Sequence, residues 1–359
     1  MNNAKLAKVG DFLFNFARKT ITDKKSESTT MKTLPFLALS AALALSAFAA
    51  AEAEAQTIKP EDVSVAKYKD NKRAAVSLTF DDGNLDNATM VAPELEKRGL
   101  RGTFWIVANV VGDEDPEQPR VTWDQLRQMA AAGHEISNHT WDHRKTVNLS
   151  YDEFRRGVEM CDSAIEANIG ERPVTFCYPH NYVDPEVFRI ASKGRVGTRI
   201  RTVGIGQKNN HSTAESITAW LNKTIADGDW GVTMTHGIVK GWDTWDDPQV
   251  LWNFFDQLKE SQDSVWVAPF RNVAAYDRLR RDFDYYVKSK NGTTTIIPMS
   301  PLDPELFNEP LTMLVRGDWT AGLPSISQDG KNLEARIDAE GVLVFDINPV
   351  GGNVKISAR

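Results

Sequence analysis

From residue 74 onward the chain alternates between two hydrophobic periods. Short apolar, β-rich runs fall at 74–80, 103–107, 134–138, 174–178, 195–200, 231–235 and 264–268. Between most of them, apolar positions recur at the three-to-four-residue spacing of helices. Thr122-Trp-Asp-Gln125 has the form of a capping box and opens a helix that Gly133 closes. Ser150-Tyr-Asp-Glu153 opens another, ending near Gly170. Further helices are predicted over 213–227, 249–260 and 271–287. Seven strands alternating with helices imply an α/β fold, its parallel sheet wound as a barrel or left open. After Lys290 the helical period stops, and short apolar runs between Gly, Asp and Pro turns predict a small antiparallel β-module over 295–359. It reads as a structural appendage in preference to a carbohydrate-binding module.

The most apolar stretch precedes all of this. Lys32 is followed by a Leu-, Ala- and Phe-rich run to Ala51 and then by Ala-Glu-Ala-Glu-Ala55. A charged start, an apolar middle and small residues at the end are the parts of a secretory signal peptide that begins near Met31 and is cleaved after Ala55. At about 18 residues the run sits at the short edge of a membrane span, so no stable span is expected after cleavage. The chain thus divides into an N-terminal extension and signal peptide over 1–55, a barrel over 56–290 and the β-module over 295–359. The protein is expected to be secreted or periplasmic.

Composition narrows the function. The 359 residues carry 42 Lys and Arg against 49 Asp and Glu, a net charge of −7, and the seven basic and five acidic residues of 1–55 make the remainder more acidic still. No nucleic-acid partner is expected from such a balance. Two cysteines, Cys161 and Cys177, exclude a disulfide framework or a Cys-rich zinc module, and their placement on a helix and at a strand end argues against pairing. No oligomeric state is assigned.

The reactive side chains are not scattered with respect to the strands. Asp81 and Asp82 follow the first predicted strand, His139 and His143 the third, His180 the fourth and His236 the sixth. In a β/α barrel that end of the strands is a single rim, where residues remote in sequence converge. His139-Thr-Trp-Asp-His143 spaces two imidazoles so that they can share one ion on a helical turn or tight loop. Chance pairs of this kind are common, and catalysis by zinc needs a third ligand and an open position. The Asp81-Asp82 pair can supply the ligand: one carboxylate binds the ion while the other stays free as a base for an acidified water. Alone, Asp-Asp-Gly is an ordinary turn. An aspartyl-phosphate chemistry is set aside because it has no use for two histidines, and imidazole points to zinc or a similar transition metal. His236, directly beyond a buried strand, is either a satisfied core histidine or a general acid.

These residues carry a family resemblance. Thr-Phe-Asp81-Asp82-Gly, then Ser137-Asn-His139-Thr-Trp-Asp-His143, then Val232-x-Met234-x-His236, taken in that order over roughly 70–280, resemble the NodB-like polysaccharide deacetylases, carbohydrate esterase family 4. The resemblance implies a distorted (β/α)7 barrel and a divalent metal, usually Zn2+. It implies Asp81 as catalytic base, Asp82, His139 and His143 as metal ligands, and His236 as catalytic acid. The expected partner is an acetylated polysaccharide or oligosaccharide. The expected reaction is removal of acetyl groups, foremost from N-acetylglucosamine units of the chitin or peptidoglycan type. An O-acetyl esterase on xylan or another glycan, a small-molecule amidase and a non-catalytic glycan-binding protein are the alternatives.

One motif departs from the family's commonest form. Where an Arg-Pro-Pro-Tyr-Gly-like segment is usual, this chain has Phe176-Cys177-Tyr178-Pro179-His180-Asn181. Cys177 stands at the position of the arginine that orients the base, and His180 at the position whose backbone N–H helps hold an oxyanion. Arg199, with Arg201 behind it, is the candidate replacement. The family's Asp beside a Trp, tuning the acid histidine, has no clear match, although Asp229-Trp230 is nearby. Tyr178, His180 and Arg199 are the expected substrate-side residues of this region, and Met234 is expected to line a pocket for the acetyl methyl. Of the ten tryptophans, Trp105, Trp123, Trp220, Trp252 and Trp266 read as core. Trp141, Trp242 and Trp245 fall on the rim, where aromatic faces can stack on sugars.

Overall fold

A computed structural model describes residues 57–357, so the expected signal peptide lies outside the described residues. The first strand of the parallel sheet, β2 (Ala74–Phe80), is buried along its whole length, as a strand covered on both faces must be. The sheet runs β6-β5-β4-β3-β2-β8-β7, comprising Gly197–Arg199, Thr175–Cys177, Glu135–Asn138, Thr103–Ile106, β2 itself, Trp230–Thr235 and Val203–Gly204. A further strand, β9 (Val265–Val267), pairs with the first half of β2. Every ladder in the sheet is parallel. This is the curved α/β sheet of a distorted (β/α)7 barrel.

Helices α1 (Ala92–Lys97), α2 (Trp123–Ala131), α3 (Tyr151–Ile169), α4 (Pro185–Ala191), α5 (Ala214–Asp227), α6 (Gln249–Glu260) and α7 (Phe270–Asp282) occupy the connections. Both predicted capping boxes form: Thr122 accepts from the Gln125 amide and Ser150 from the Glu153 amide. Gly170 ends α3 in the left-handed conformation, the usual C-terminal signal. The short helices α1 and α4 are too brief to show a clear period in the sequence.

The helix expected over 271–287 stops at Asp282. Residues Asp284–Lys290 instead form β10, which pairs with β11 (Thr293–Met299) across Asn291-Gly292, both at positive φ. Asn-Gly between alternating positions is a hairpin signal, and here it outweighs the helical spacing of Tyr285, Tyr286 and Val287.

Two antiparallel sheets complete the fold. One has the order β1-β12-β16-β15 (Val63–Val65, Leu311–Val315, Leu343–Ile347, Ala335–Ile337). The other has the order β10-β11-β17-β13-β14, with β17 at Val354–Ser357, β13 at Ser325–Gln328 and β14 at Lys331–Asn332. Their apolar residues Leu311, Met313, Ile347 and Val354 share one buried cluster with Phe270, Tyr276 and Leu279 of α7 and with Trp105, Cys177 and Val232 of the parallel sheet. Helix α7 lacks a capping side chain of its own. The parallel sheet supplies one: buried Glu135 on β4 accepts from the Arg271 amide at 2.9 Å, and Thr103 on β3 accepts from the Phe270 amide at 2.8 Å. A carboxylate at a helix N-terminus satisfies donors the helix itself cannot.

Candidate functional site

Strand register places the predicted chemistry along one edge. Phe80 is paired with Thr235, so Asp81 and His236 leave adjacent strands at the same level. Asn138 is paired with both Ile106 and Phe176, and Cys177 with Arg199, which brings the ends of β4, β5 and β6 to the same rim.

Asp81 continues the β-ladder, its amide donating to Thr235 O at 2.9 Å. Asp82 then turns into the left-handed region at φ 76°, followed by Gly83 at 70°. That reversal lets two consecutive carboxylates, which on a regular strand would point to opposite faces, reach the same site. Thr140, His143 and His180 also take positive φ. Non-glycine residues there are uncommon, and clusters of them mark backbone held by its surroundings. The His139–His143 segment is therefore a tight loop. Its first turn is fixed by Asn138 Oδ1 accepting from the Thr140 amide at 2.7 Å, and its second by Thr140 Oγ1 accepting from the His143 amide at 3.1 Å.

Asp82 Oδ1 lies 3.5 Å from His139 Nε2 and 3.4 Å from His143 Nε2. This oxygen is buried and has no hydrogen-bond partner. His139 Nδ1 is 2.9 Å from Cys177 O, which fixes the ring so that Nε2 faces Asp82. Burial alone would depress the His139 imidazole, but Cys177, Asp82 and Asp81 overcome it and hold its pKa well above the ordinary value. Burial likewise opposes ionisation of Asp82, yet the neighbouring histidines outweigh it and keep the carboxyl below the usual range. Two imidazole nitrogens converge on an unpartnered carboxylate oxygen, so the pocket calls for positive charge. One carboxylate oxygen and two imidazole nitrogens are a donor set that fits a divalent transition-metal ion.

Asp81 is 3 % exposed and Arg199 2 %. Arg199 grips the carboxylate with both terminal nitrogens, Nη1 to Oδ1 at 2.6 Å and Nη2 to Oδ2 at 2.5 Å, while Nη1 also donates to Thr79 Oγ1 at 2.7 Å. The Trp105 ring backs the guanidinium at 5.8 Å. Burial works against the ionised carboxylate, but the Arg199 charge and its hydrogen bonds prevail and lower the Asp81 pKa. The arginine beside Asp81 thus comes from the last residue of the next strand, and not from the position of Cys177. Cys177 Sγ itself lies 3.8 Å from Asp81 Oδ2. Arg201 is exposed and takes no part.

His236 begins the loop after β8, with buried Nδ1 unpartnered and Trp242 edge-on at 5.0 Å. Asp229 lies at the opposite end of β8, where its carbonyl accepts from the Ala75 amide, so it does not tune this histidine. Trp242 is 51 % exposed. Met234 is half-buried, its Sδ 3.8 Å from Asn181 Nδ2. Exposed His180 lies against His143 with ring centroids 4.7 Å apart, and Trp141 is partly buried against the core.

Two expectations are corrected. Tyr178 is 1 % exposed and donates to Thr198 Oγ1 at 3.0 Å within an apolar cluster, so its side chain is core and not substrate-facing. Trp245 is also buried, its Nε1 turned inward to Thr235 Oγ1 at 3.3 Å. Cys161 and Cys177 are both buried and free.

Sequence reasoning missed Asp86, four residues beyond the paired aspartates. Its Oδ2 accepts from the amides of Ile238, Val239 and Lys240 at 2.6, 2.7 and 3.4 Å, pinning the loop between His236 and Trp242. The loop is tight enough that a Cβ on Gly237 would lie 1.7 Å from Lys240 O. An acidic residue at the start of a helical segment gives no signal of such a distant partner. Asp86→Ala should free the loop and lower kcat on the order of 10²-fold with KM little changed and metal content intact. Asp86→Asn, which keeps an acceptor oxygen, should recover much of this. Steady-state kinetics of the two variants check the assignment.

Residues 68–196 match the family model described as polysaccharide deacetylase. A gellan lyase of a Bacillus species is 24 % identical over 340 residues, 82 % of this chain but 13 % of that protein. The peptidoglycan-N-acetylglucosamine deacetylase PgdA of Listeria monocytogenes is 29 % identical over 124 residues, 34 % of this chain and 24 % of that one. This chain therefore spans less than a quarter of the length of either relative. Among solved structures, a family 4 acetyl xylan esterase from Clostridium thermocellum in complex with a cobalt ion superposes with a TM-score of 0.43 at 24 % identity, covering 55 % of this chain and 89 % of that one. The matched segment carries Asp81, Asp82, His139 and His143, and it is over these residues, 68–196, that the chain is similar to the NodB-like polysaccharide deacetylases, carbohydrate esterase family 4.

Proposed function

We propose that this protein is a metal-dependent hydrolase that removes acetyl groups from N-acetylglucosamine units of a chitin- or peptidoglycan-type polysaccharide. The observation that carries this reading is the juxtaposition of the Asp82–His139–His143 donor set with an arginine-gripped carboxylate, Asp81, at one rim. The likeness to a peptidoglycan-N-acetylglucosamine deacetylase supports the substrate class.

A divalent ion held by Asp82, His139 and His143 would polarise the acetyl carbonyl and acidify the attacking water. Arg199 keeps Asp81 ionised and aimed, so Asp81 Oδ2 is the acceptor for the proton lost by that water as its oxygen bonds to the carbonyl carbon. A carboxylate held this acidic is a weak base, which is why it needs a water already made acidic. The backbone N–H at His180 is the proposed additional donor to the oxyanion. His236 returns a proton to the leaving nitrogen as the carbon–nitrogen bond breaks.

A polysaccharide substrate is in keeping with the export signal expected near Met31. Among the described residues no helix is long and apolar enough to cross a membrane. Acetate release measured across chitin oligomers, peptidoglycan and acetylxylan tests the reading. Faster release from N-acetylglucosamine polymers is expected. Preference for acetylxylan would shift the assignment to an ester hydrolase using the same machinery, and no release from any of them would overturn it.

A further inference from the structure

The rim carries a second set of aromatic faces that the reaction does not use. Tyr151 is 48 % exposed and Tyr182 37 % exposed. Tyr151 is the first residue of α3, reached through the loop that carries His139 and His143. Tyr182 lies in the β5–α4 connection, two residues after His180. His180 in turn rests on His143, their ring centroids 4.7 Å apart. Tyr182 thus stands two residues from a ring that rests on a candidate metal ligand, and Tyr151 opens the helix that follows the His139–His143 loop.

They are also held in place. Both phenol hydroxyls donate to one oxygen, Asp184 Oδ2, each at 3.4 Å. Asp184 is itself fixed, because its Oδ1 caps α4 by accepting from the amides of Glu186 at 2.9 Å and Val187 at 2.8 Å. Two large rings are thus left open while their polar tips are tied to a helix cap. Aromatic rings fixed before a ligand arrives lose little freedom on binding, and they suit flat partners that are apolar on one face and polar at the edge. A pyranose ring has that character, with axial C–H groups on its face and hydroxyls around its rim.

We propose that Tyr151 and Tyr182 form a binding subsite for sugar units of the same glycan chain whose acetyl group lies at Asp82, His139 and His143. The inference rests on the polysaccharide reading above and deepens it: the protein engages several residues of a polymer at once. Trp242, exposed beside His236, offers an aromatic face on the other histidine of the reaction, so the chain has contacts on both the metal-ligand side and the acid side.

The test is the dependence of kcat/KM on oligomer length, using acetylated N-acetylglucosamine and xylose oligomers from dimer to hexamer. For the wild type, the hexamer-to-dimer ratio of kcat/KM should be well above one. Tyr151→Ala and Tyr182→Ala should each lower that ratio several-fold, and together about tenfold. Tyr151→Phe and Tyr182→Phe keep the ring and lose only the tie to Asp184, so they should keep most of the ratio. The single variants and the Phe variants keep the test decisive if the double variant folds poorly. A wild-type ratio near one, or Ala variants with an unchanged ratio, would overturn the subsite while leaving the deacetylase reading intact. A wild type that releases no acetate from any oligomer would overturn both.

Discussion

Asp81→Asn is expected to lower acetate release by about 10² to 10⁴-fold, the range for loss of a positioned general base, and to destabilise the fold as well. The second effect comes from Arg199. Its side chain is fully buried and its charge is matched by Asp81, and removing one partner of a buried ion pair costs about 3–5 kcal/mol because the other charge is left stranded. The substituted amide would keep one oxygen, and the bond from Arg199 to Thr79 would remain, so the lower end of that range is expected. A loss of activity could then be mistaken for a loss of folded protein. Asp81→Asn combined with Arg199→Met separates the two, because it removes both charges. Chemical denaturation should show the double variant regaining stability relative to Asp81→Asn, while acetate release stays as low. If activity returned with stability, Asp81 would be a structural anion and not the base. The pair also has a pH signature. The Asp81 pKa is lower in the folded chain than in the unfolded one, so its stabilisation is present above the ordinary carboxylate range and is lost as pH falls through the folded value.

His139→Ala with His143→Ala is expected to abolish metal binding and activity together. The two rings supply two of the three donor atoms, both beside Asp82 Oδ1, and one carboxylate oxygen cannot hold a transition metal against water. In the wild type, metal bound only by the folded state adds about 2.7 kcal/mol when free metal stands at one hundred times Kd. Chelation should therefore lower the melting temperature of the wild type and stop acetate release, and it should do neither to the double variant. Elemental analysis of the purified proteins gives the stoichiometry directly. A chelator-treated wild type with unchanged melting and unchanged activity would refute the metal assignment.

The rim chemistry was legible because parallel pairing turns sequence position into spatial position. Asp81, His139 and His236 each stand directly after a strand, and ladders that align Phe80 with Thr235 and Ile106 with Asn138 bring those positions together. The capping boxes at Thr122 and Ser150 were equally local and equally readable. Arg199 could be named because the family resemblance implies an arginine beside Asp81, the usual position holds Cys177, and the next strand end offered one. What failed to show was long-range. Tyr178 and Trp245 sit at rim-adjacent positions in sequence, yet their rings turn inward to Thr198 and Thr235, and only the packed structure decides which way a large side chain faces. The clamp made by Asp86 on the 238–240 amides joins residues more than 150 positions apart and leaves no pattern in either segment. At the end of α7 the signal was present in Asn291-Gly292, but the helical spacing before it was the easier one to follow.

The β1–β12 ladder aligns Val63 with Val315 and Val65 with Met313, closing a loop that contains the entire parallel sheet. Contacts of such long sequence separation are expensive in chain entropy and form late. The antiparallel layer under α7 therefore cannot be finished until residues near 347, which complete β16, have been synthesised. The parallel sheet, with Trp105, Cys177 and Val232 facing that layer, must wait with part of its apolar surface uncovered.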